Sequence, residues 1–273
     1  MPPVPHTSLS DRAVAIAAAG AGADVVRAAF GQTVAEEMKG TVDPVSAADR
    51  AAESAVLAVL SEHRPSDDVL AEESGGIRFA TGRRWIVDPL DGTINFLHTI
   101  PHVGVSVALW DGGEPLACAV IDVLRDEVFS AAIGDGAEMN GSPIRVSHRG
   151  RLKECVIGTG FPYDRDMMGA AYASTIGAVL AEVRGVRRMG AAVLDFAWVA
   201  CGRLDGFWEF YLAPWDVAAG LLLVQEAGGH TADLSTAPAS VDSTTFILSN
   251  SALGTSLIDL VRQAAPEHVR PTN

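Results

Sequence analysis

The sequence predicts a mixed fold, α+β in its first half and α/β in its second. Three observations carry that prediction. Two Ala-rich helical stretches open the chain, and a series of short Val- and Ala-rich segments follows, separated by Gly and Asp turns. Beyond a seam near Asn140 to Arg151, strand and helix patterns alternate.

The first helix is expected from Ser8 to about Phe30, capped by Ser8 or Ser10, and the second from Asp43-Pro44 to about His63, where Arg64-Pro65 ends it. Asp68 to Ala71 reads as a short strand leading into Glu72-Glu73-Ser74, and Gly75-Gly76 punctuates. Arg84 to Val87 is another short strand, ending at Asp88-Pro89. Val103 to Trp110, Pro115 to Val123 and Glu127 to Ala131 then form an antiparallel meander, with Asp111-Gly112-Gly113 as one of its turns and Asn140-Gly141 as a further hairpin signal. In the second half, strands at Cys155 to Gly158, Val186 to Arg188 and Gly206 to Phe210 precede helices at Met167 to Val183, Ala191 to Cys201 and Trp215 to Ala227. A strand at Thr245 to Leu248 and a helix at Ala252 to Ala264 close the chain. No Pro/Gly/Ser linker marks the seam, so residues 1–273 are expected to form one packed body with pseudo-halves 1–145 and 146–273.

The net charge of −14 argues against broad nucleic-acid binding, which needs a basic face. It also repels an anionic substrate, unless divalent cations reverse the field locally. The three cysteines, Cys118, Cys155 and Cys201, form no C-x-x-C pair, which suits buried thiols in a reducing cytoplasm. No apolar run is long enough to span a bilayer.

The stretch Trp85-Ile86-Val87-Asp88-Pro89-Leu90-Asp91-Gly92-Thr93 is the most informative in the chain. Pro89 fixes its own φ and pushes Asp88 toward an extended backbone, so Asp88 and Asp91 sit in a tight turn where both can face one cation. The Leu90 carbonyl offers a further oxygen, and oxygen-only sets of this kind suit hard ions such as Mg²⁺. If Ile94 to Leu97 is helical, the Gly92 and Thr93 amides lie at a helix N-terminus suited to a phosphate group. Glu72 follows a strand that can run beside the one ending at Asp88, which brings both carboxylates to one sheet edge. Asp216 stands at the start of an apolar helix after Pro214-Trp215. Taken singly, Asp91 and Asp216 fit helix caps better than metal ligands; the set favours chemistry.

No phosphate-binding G-x-x-x-x-G-K loop and no H-E-x-x-H occurs. Gly104-Val105-Ser106-Val107-Ala108 reads as strand, with Ser106 in the core. His98 and His102 fit solvated loop positions better than site positions. Arg187 and Arg188 either reach a second phosphate or are solvated, with solvation favoured.

Trp85 to Phe96 (W-I-V-D-P-L-D-G-T-I-N-F) and Trp215 to Gly229 (W-D-V-A-A-G-L-L-L-V-Q-E-A-G-G) together resemble the two long motifs of the inositol monophosphatase family. Glu72-Glu73-Ser74, Asp43 to Asp49 (D-P-V-S-A-A-D, with Ser46 for the usual Thr) and Gly202 to Glu209 (G-R-L-D-G-F-W-E) match further family segments in order. The resemblance covers nearly the whole chain and implies a layered αβαβα sandwich of the inositol monophosphatase and fructose-1,6-bisphosphatase type. It implies an enzyme using about two to three Mg²⁺ ions on a small phosphorylated metabolite, in a family whose members are usually homodimers and often inhibited by Li⁺; the cysteine usage adds the expectation of a cytoplasmic protein. Glu72, Asp88 and the Leu90 carbonyl would hold the first ion, Asp88, Asp91 and Asp216 the second, with Glu72 sharing a third through water. Thr93, paired with Asp49, would orient the attacking water, with Glu72 among the catalytic groups. Gly92 and Thr93 amides would hold the phosphate, and Glu209 and the Ala192 position would face the substrate. Lys39 matches a loop lysine near the metals.

Gly190-Ala191-Ala192 stands where many relatives carry G-S-A or G-T-A, so a substrate-facing hydroxyl is missing. Ile94 replaces a common Thr or Lys, which tilts the substrate toward a polyol phosphate such as myo-inositol monophosphate. Fructose 1,6-bisphosphate, histidinol phosphate and 3′-phosphonucleotides are the alternatives, and a non-catalytic binding protein is the reading from a different class.

Overall fold

Ser10 starts the first helix, α1 (Asp11–Ala29): its side-chain oxygen accepts the Ala13 N–H at 3.2 Å. The computed structural model describes residues 9–32, 36–38, 44–76, 81–161 and 165–269. Two strands, β1 (Glu36–Met38) and β2 (Pro44–Ser46), pair antiparallel, and α2 (Ala47–His63) follows. The helix expected from Asp43-Pro44 therefore starts at Ala47, a correction with a simple cause: the backbone of Pro44–Ser46 is committed to a ladder with β1. Asp43 lies outside the described residues, as does Ser8.

Helices α1 and α2 form one outer layer. Their small residues let the axes approach, and a Cβ at Gly22 would meet Val56 Cγ2 at 2.8 Å. Together they cover one face of a sheet built from β3 (Asp68–Ala71), β4 (Gly75–Gly76), β5 (Arg83–Asp91), β6 (Gly104–Asp111), β7 (Glu114–Asp122), β8 (Glu127–Ala132), β9 (Gly136–Met139) and β10 (Ser142–Pro143). A short helix, α3 (Thr93–Leu97), leaves the end of β5. The sheet order is β10-β9-β8-β7-β6-β5-β3-β4, with β3 and β5 parallel and the other pairs antiparallel. Both expected hairpin turns form, with Gly112 and Gly113 at φ 57° and 97°, and Asn140 and Gly141 at 49° and 75°.

The second half runs β11 (Val156–Thr159), α4 (Arg165–Glu182), β12 (Gly185–Arg187), α5 (Ala192–Ala200), β13 (Gly206–Phe210), α6 (Pro214–Glu226), β14 (His230–Ala232), β15 (Thr245–Ser249) and α7 (Ser256–Ala264). Its strands form a mixed sheet of order β12-β11-β13-β15-β14. Strands β11, β12 and β13 are parallel, as strand–helix alternation predicts, whereas β15 runs antiparallel to both neighbours. The three-residue strand β14, absent from the sequence reading, is too short to carry a period.

Alternation along the strands builds the layers. In β5, Trp85 and Val87 face α1 and α2, while Ile86 faces the other way, onto a core shared with α5, α6, Phe207 and Leu248. Trp208 and Phe210 point to the outer side of the second sheet, where Tyr172 of α4 and Leu257 of α7 cover them. The result is a layered αβαβα sandwich, with α5 and α6 as its central helical layer. No helix among the described residues is long and apolar enough to cross a membrane.

Candidate active site

The parallel pairing of β3 and β5 matches Ala71 with Val87. Glu72, one residue beyond, donates its N–H to the Val87 carbonyl at 3.2 Å, which puts its side chain beside Asp88 at one sheet edge, as the sequence predicts. Strand β5 is irregular there. Asp88 pairs with Ser106 and Asp91 with Gly104, so Pro89-Leu90 forms a bulge where Pro89 has no N–H to give the ladder. Asp88 Oδ1 accepts the Leu90 N–H at 3.0 Å and closes an Asx turn that fixes the carboxylate.

Gly92 takes φ 90° to turn the chain into α3. A Cβ there would lie 3.0 Å from the His102 carbonyl and 3.2 Å from that of Gly190, so only glycine fits. Thr93 Oγ1 sits 3.2 Å from Asp49 Oδ1 and 3.2 Å from the Leu90 carbonyl. It has one proton to give, so one acceptor at a time takes it and an Oγ1 lone pair stays free. Asp91 Oδ2 accepts the Val193 N–H at 2.7 Å, in the first turn of α5. Asp216 Oδ2 accepts the Ala213 N–H at 2.7 Å, so it does cap α6 and it also lines the pocket. The two readings of Asp216, cap and site residue, are thus compatible.

The pocket is lined by Asp91, Gly92, Thr93 and Ile94 from the β5–α3 turn and by Ala192, Asp195, Glu209 and Asp216 from the second half of the chain. Burial holds the Asp88 carboxyl well above the usual carboxylate range, and Glu72, Asp91 and Asp216 raise it further. Asp91 is raised in the same way, by burial and then by Asp216. Glu209 is raised by burial, then by Asp216 and Asp195. The leading influences on Asp88 and Asp91 among the described residues are burial and neighbouring carboxylates, with one backbone N–H each on the other side of the balance. A crowded, oxygen-only donor set of this kind fits hard divalent ions. Among the described residues, no three carboxylates, imidazoles or thiols close on one point at ligand distance. The acids form an open wall and not a finished cage.

Several residues of the site escape a reading of the sequence. Glu53, on α2, accepts the N–H groups of Glu73 at 2.8 Å and Ser74 at 3.0 Å, and so braces the turn that carries Glu72. It stands one helical turn after Asp49, and that spacing is a usable signal. Asp195 is buried, with Oδ1 unpartnered and its carboxyl raised by burial; a lone acid in the apolar run A-A-V-L-D-F-A-W-V-A is the clue. The Asn95 amide donates to the carbonyls of His102 and Met189, both at 2.8 Å, and ties the Gly92 turn to the Gly190 loop. Gly160 has no Cβ because one would lie 2.0 Å from Glu209 Oε2.

His102 corrects the sequence reading. It is buried, edge-on to Trp198, and burial together with Arg125 lowers its pKa to about 4, so it is a neutral packing group. His98 is exposed, and Ser106 is buried in β6 with its hydroxyl on the Trp215 carbonyl. Lys39 lies outside the described residues.

Comparison with known proteins places this geometry. Residues 9–265 match the inositol monophosphatase family. The chain is 42% identical over 236 residues to inositol-1-monophosphatase of Rhizobium meliloti (strain 1021), covering 86% of this chain and 89% of that one. It is 43% identical over 202 residues to Nus factor SuhB of Pseudomonas aeruginosa, covering 72% and 74%. The crystal structure of extragenic suppressor protein suhB from Bartonella henselae superposes with a TM-score of 0.87 at 40% identity, covering 92% of this chain and 97% of that one. The chain belongs to the inositol monophosphatase family.

Proposed function

We propose that this chain hydrolyses a small phosphate monoester, a polyol or sugar phosphate such as myo-inositol monophosphate, with Mg²⁺ as cofactor. One observation carries the proposal: the Thr93–Asp49 pair and the Gly92 turn open onto the same pocket as Asp91 and Asp216. Glu72, Asp88, the Leu90 carbonyl, Asp91 and Asp216 would hold the ions. Bound there, Mg²⁺ supplies charge stabilisation at the transferring phosphoryl group and acidifies the attacking water.

The protein groups position the rest. With its proton given to Asp49, Thr93 Oγ1 accepts a hydrogen bond from water and aims that water's oxygen at phosphorus. Backbone N–H groups at the Gly92-Thr93 turn face the phosphate oxygens. Glu209, seated on Gly160, accepts hydrogen bonds from substrate hydroxyls when ionised. Water adds its oxygen to phosphorus, the ester P–O bond breaks, and the alcohol leaves with one of the water's protons. Ile94 in the pocket wall puts an apolar group against the substrate, which favours a polyol ring over an amine-bearing ester.

The SuhB name among the relatives supports a second reading, in which the same body serves a macromolecular partner. Asp91→Asn separates the two. Phosphate release should fall at least about a thousandfold on a folded protein, because one ligand charge and the brace to α5 both weaken; release at the wild-type rate would refute the assignment.

A further inference from the structure

Among the described residues that line the pocket, Arg188 is the only cation; the other charged side chains there are Asp91, Asp195, Glu209 and Asp216. Among the described residues, Arg188 has no hydrogen-bond or ion-pair partner. Its neighbours differ: Arg187 donates to the Val186 carbonyl, Arg203 pairs with Glu127 and Arg125 with Asp122. The Arg188 guanidinium lies over the Phe161 ring at 5.0 Å from its centroid. Gly190 permits that placement, since a Cβ there would stand 2.5 Å from Arg188 Nη1. Stacking on Phe161 fixes the plane of the group and leaves its N–H edge free.

Phe161, on which Arg188 stacks, directly follows Gly160, against which the Glu209 carboxylate lies, and the field of Arg188 acts on Asp195 and Glu209. Arg188 therefore stands beside Glu209 in the pocket, where the alcohol part of the ester would lie. A planar five-donor fork held ready there matches an oxyanion carried by the alcohol.

We propose that Arg188 is a specificity-determining residue that reads a second anionic group, a phosphate or a carboxylate, on the alcohol portion of the substrate. This rests on the hydrolase reading above and adds to it a preference, within polyol and sugar phosphates, for esters that carry a second anion. It also resolves the problem set by the chain's net charge of −14, because an otherwise acidic pocket gains one local attractor for the distal anion.

The test compares kcat/KM for fructose 1,6-bisphosphate, 3-phosphoglycerate, inositol 1-phosphate and histidinol phosphate in the wild type, Arg188→Gln and Arg188→Lys. In Arg188→Gln the ratio of fructose 1,6-bisphosphate to inositol 1-phosphate should fall about 10- to 150-fold, the loss of a charged hydrogen bond. Arg188→Lys should recover part of it, and the histidinol phosphate ratio should rise, since its ammonium group no longer meets a like charge. The arm that falls further, second phosphate or carboxylate, identifies the anion. A ratio that moves by less than about twofold while all four rates drop together overturns the proposal, because a general field effect is indifferent to the distal group. If the wild type releases phosphate from none of them, the hydrolase reading fails. Calorimetric titration of the same esters onto wild type and Arg188→Gln then decides the Arg188 proposal without turnover, by the same ratio in Kd.

Discussion

Replacing Glu53 by Gln tests whether the turn after β3 is held from α2. Glu53 is 4% exposed and its two carboxylate oxygens accept the N–H groups of Glu73 and Ser74 at 2.8 and 3.0 Å. Each bond to a charged acceptor contributes about 1.5–3 kcal/mol. A Gln side chain keeps one neutral acceptor worth about 1 kcal/mol and turns its NH₂ toward the second N–H, which is left unsatisfied. The net loss is about 3 kcal/mol, equivalent to roughly 6–10 °C in Tm for a chain of this size. Glu72 begins that turn, so the variant should also need more Mg²⁺ for half-maximal phosphate release. Calorimetry and a Mg²⁺ titration of turnover read both effects. Stability within about 0.5 kcal/mol of the wild type, with an unchanged Mg²⁺ requirement, would refute the bracing role.

Thr93→Val keeps the shape and removes the hydroxyl beside Asp49, and should lower kcat about a hundredfold or more, while Thr93→Ser stays within about tenfold; equal rates for the two variants would show that the hydroxyl does nothing. Asp195 gives a pH signature. Its folded carboxyl is raised by burial, so the native state binds more protons than the unfolded one, and wild-type stability falls as pH climbs from the ordinary carboxylate range, about 4, toward the raised folded value. Asp195→Asn removes that slope. The variant should gain stability relative to the wild type across this window in urea unfolding at stepped pH, and a difference that does not depend on pH would count against the buried acid.

Much of the site is legible because its information is local. The run Trp85 to Thr93 carries a strand, a proline that breaks the ladder and a glycine turn, and the structure places a bulge at Pro89-Leu90 and φ 90° at Gly92. The parallel pairing of β3 with β5 was open to inference because both strands end in acids, and pairing them gathers Glu72 and Asp88. What stayed hidden depends on distant contacts. Gly160 is an ordinary glycine until Glu209, from another strand, is laid against it. Asp195 looks like a misplaced charge in an apolar helix until the pocket is seen. His102 looks like a loop residue because nothing near it in sequence predicts the packing of Trp198. Helix α2 starts later than the sequence suggests because Asp-Pro is a strong helix-opening signal, and the pairing with β1 overrides it.

Phosphate release from inositol 1-phosphate by the purified chain, measured with Mg²⁺ and again after EDTA, tests the central claim most directly. The account predicts turnover with Mg²⁺, its loss in EDTA, and its return when Mg²⁺ is restored, because Asp88 and Asp91 are buried together with further carboxylates acting on them, an arrangement that a divalent cation would balance. Turnover that EDTA leaves untouched, or a folded protein that releases no phosphate from this or any related monoester with Mg²⁺ present, would contradict it.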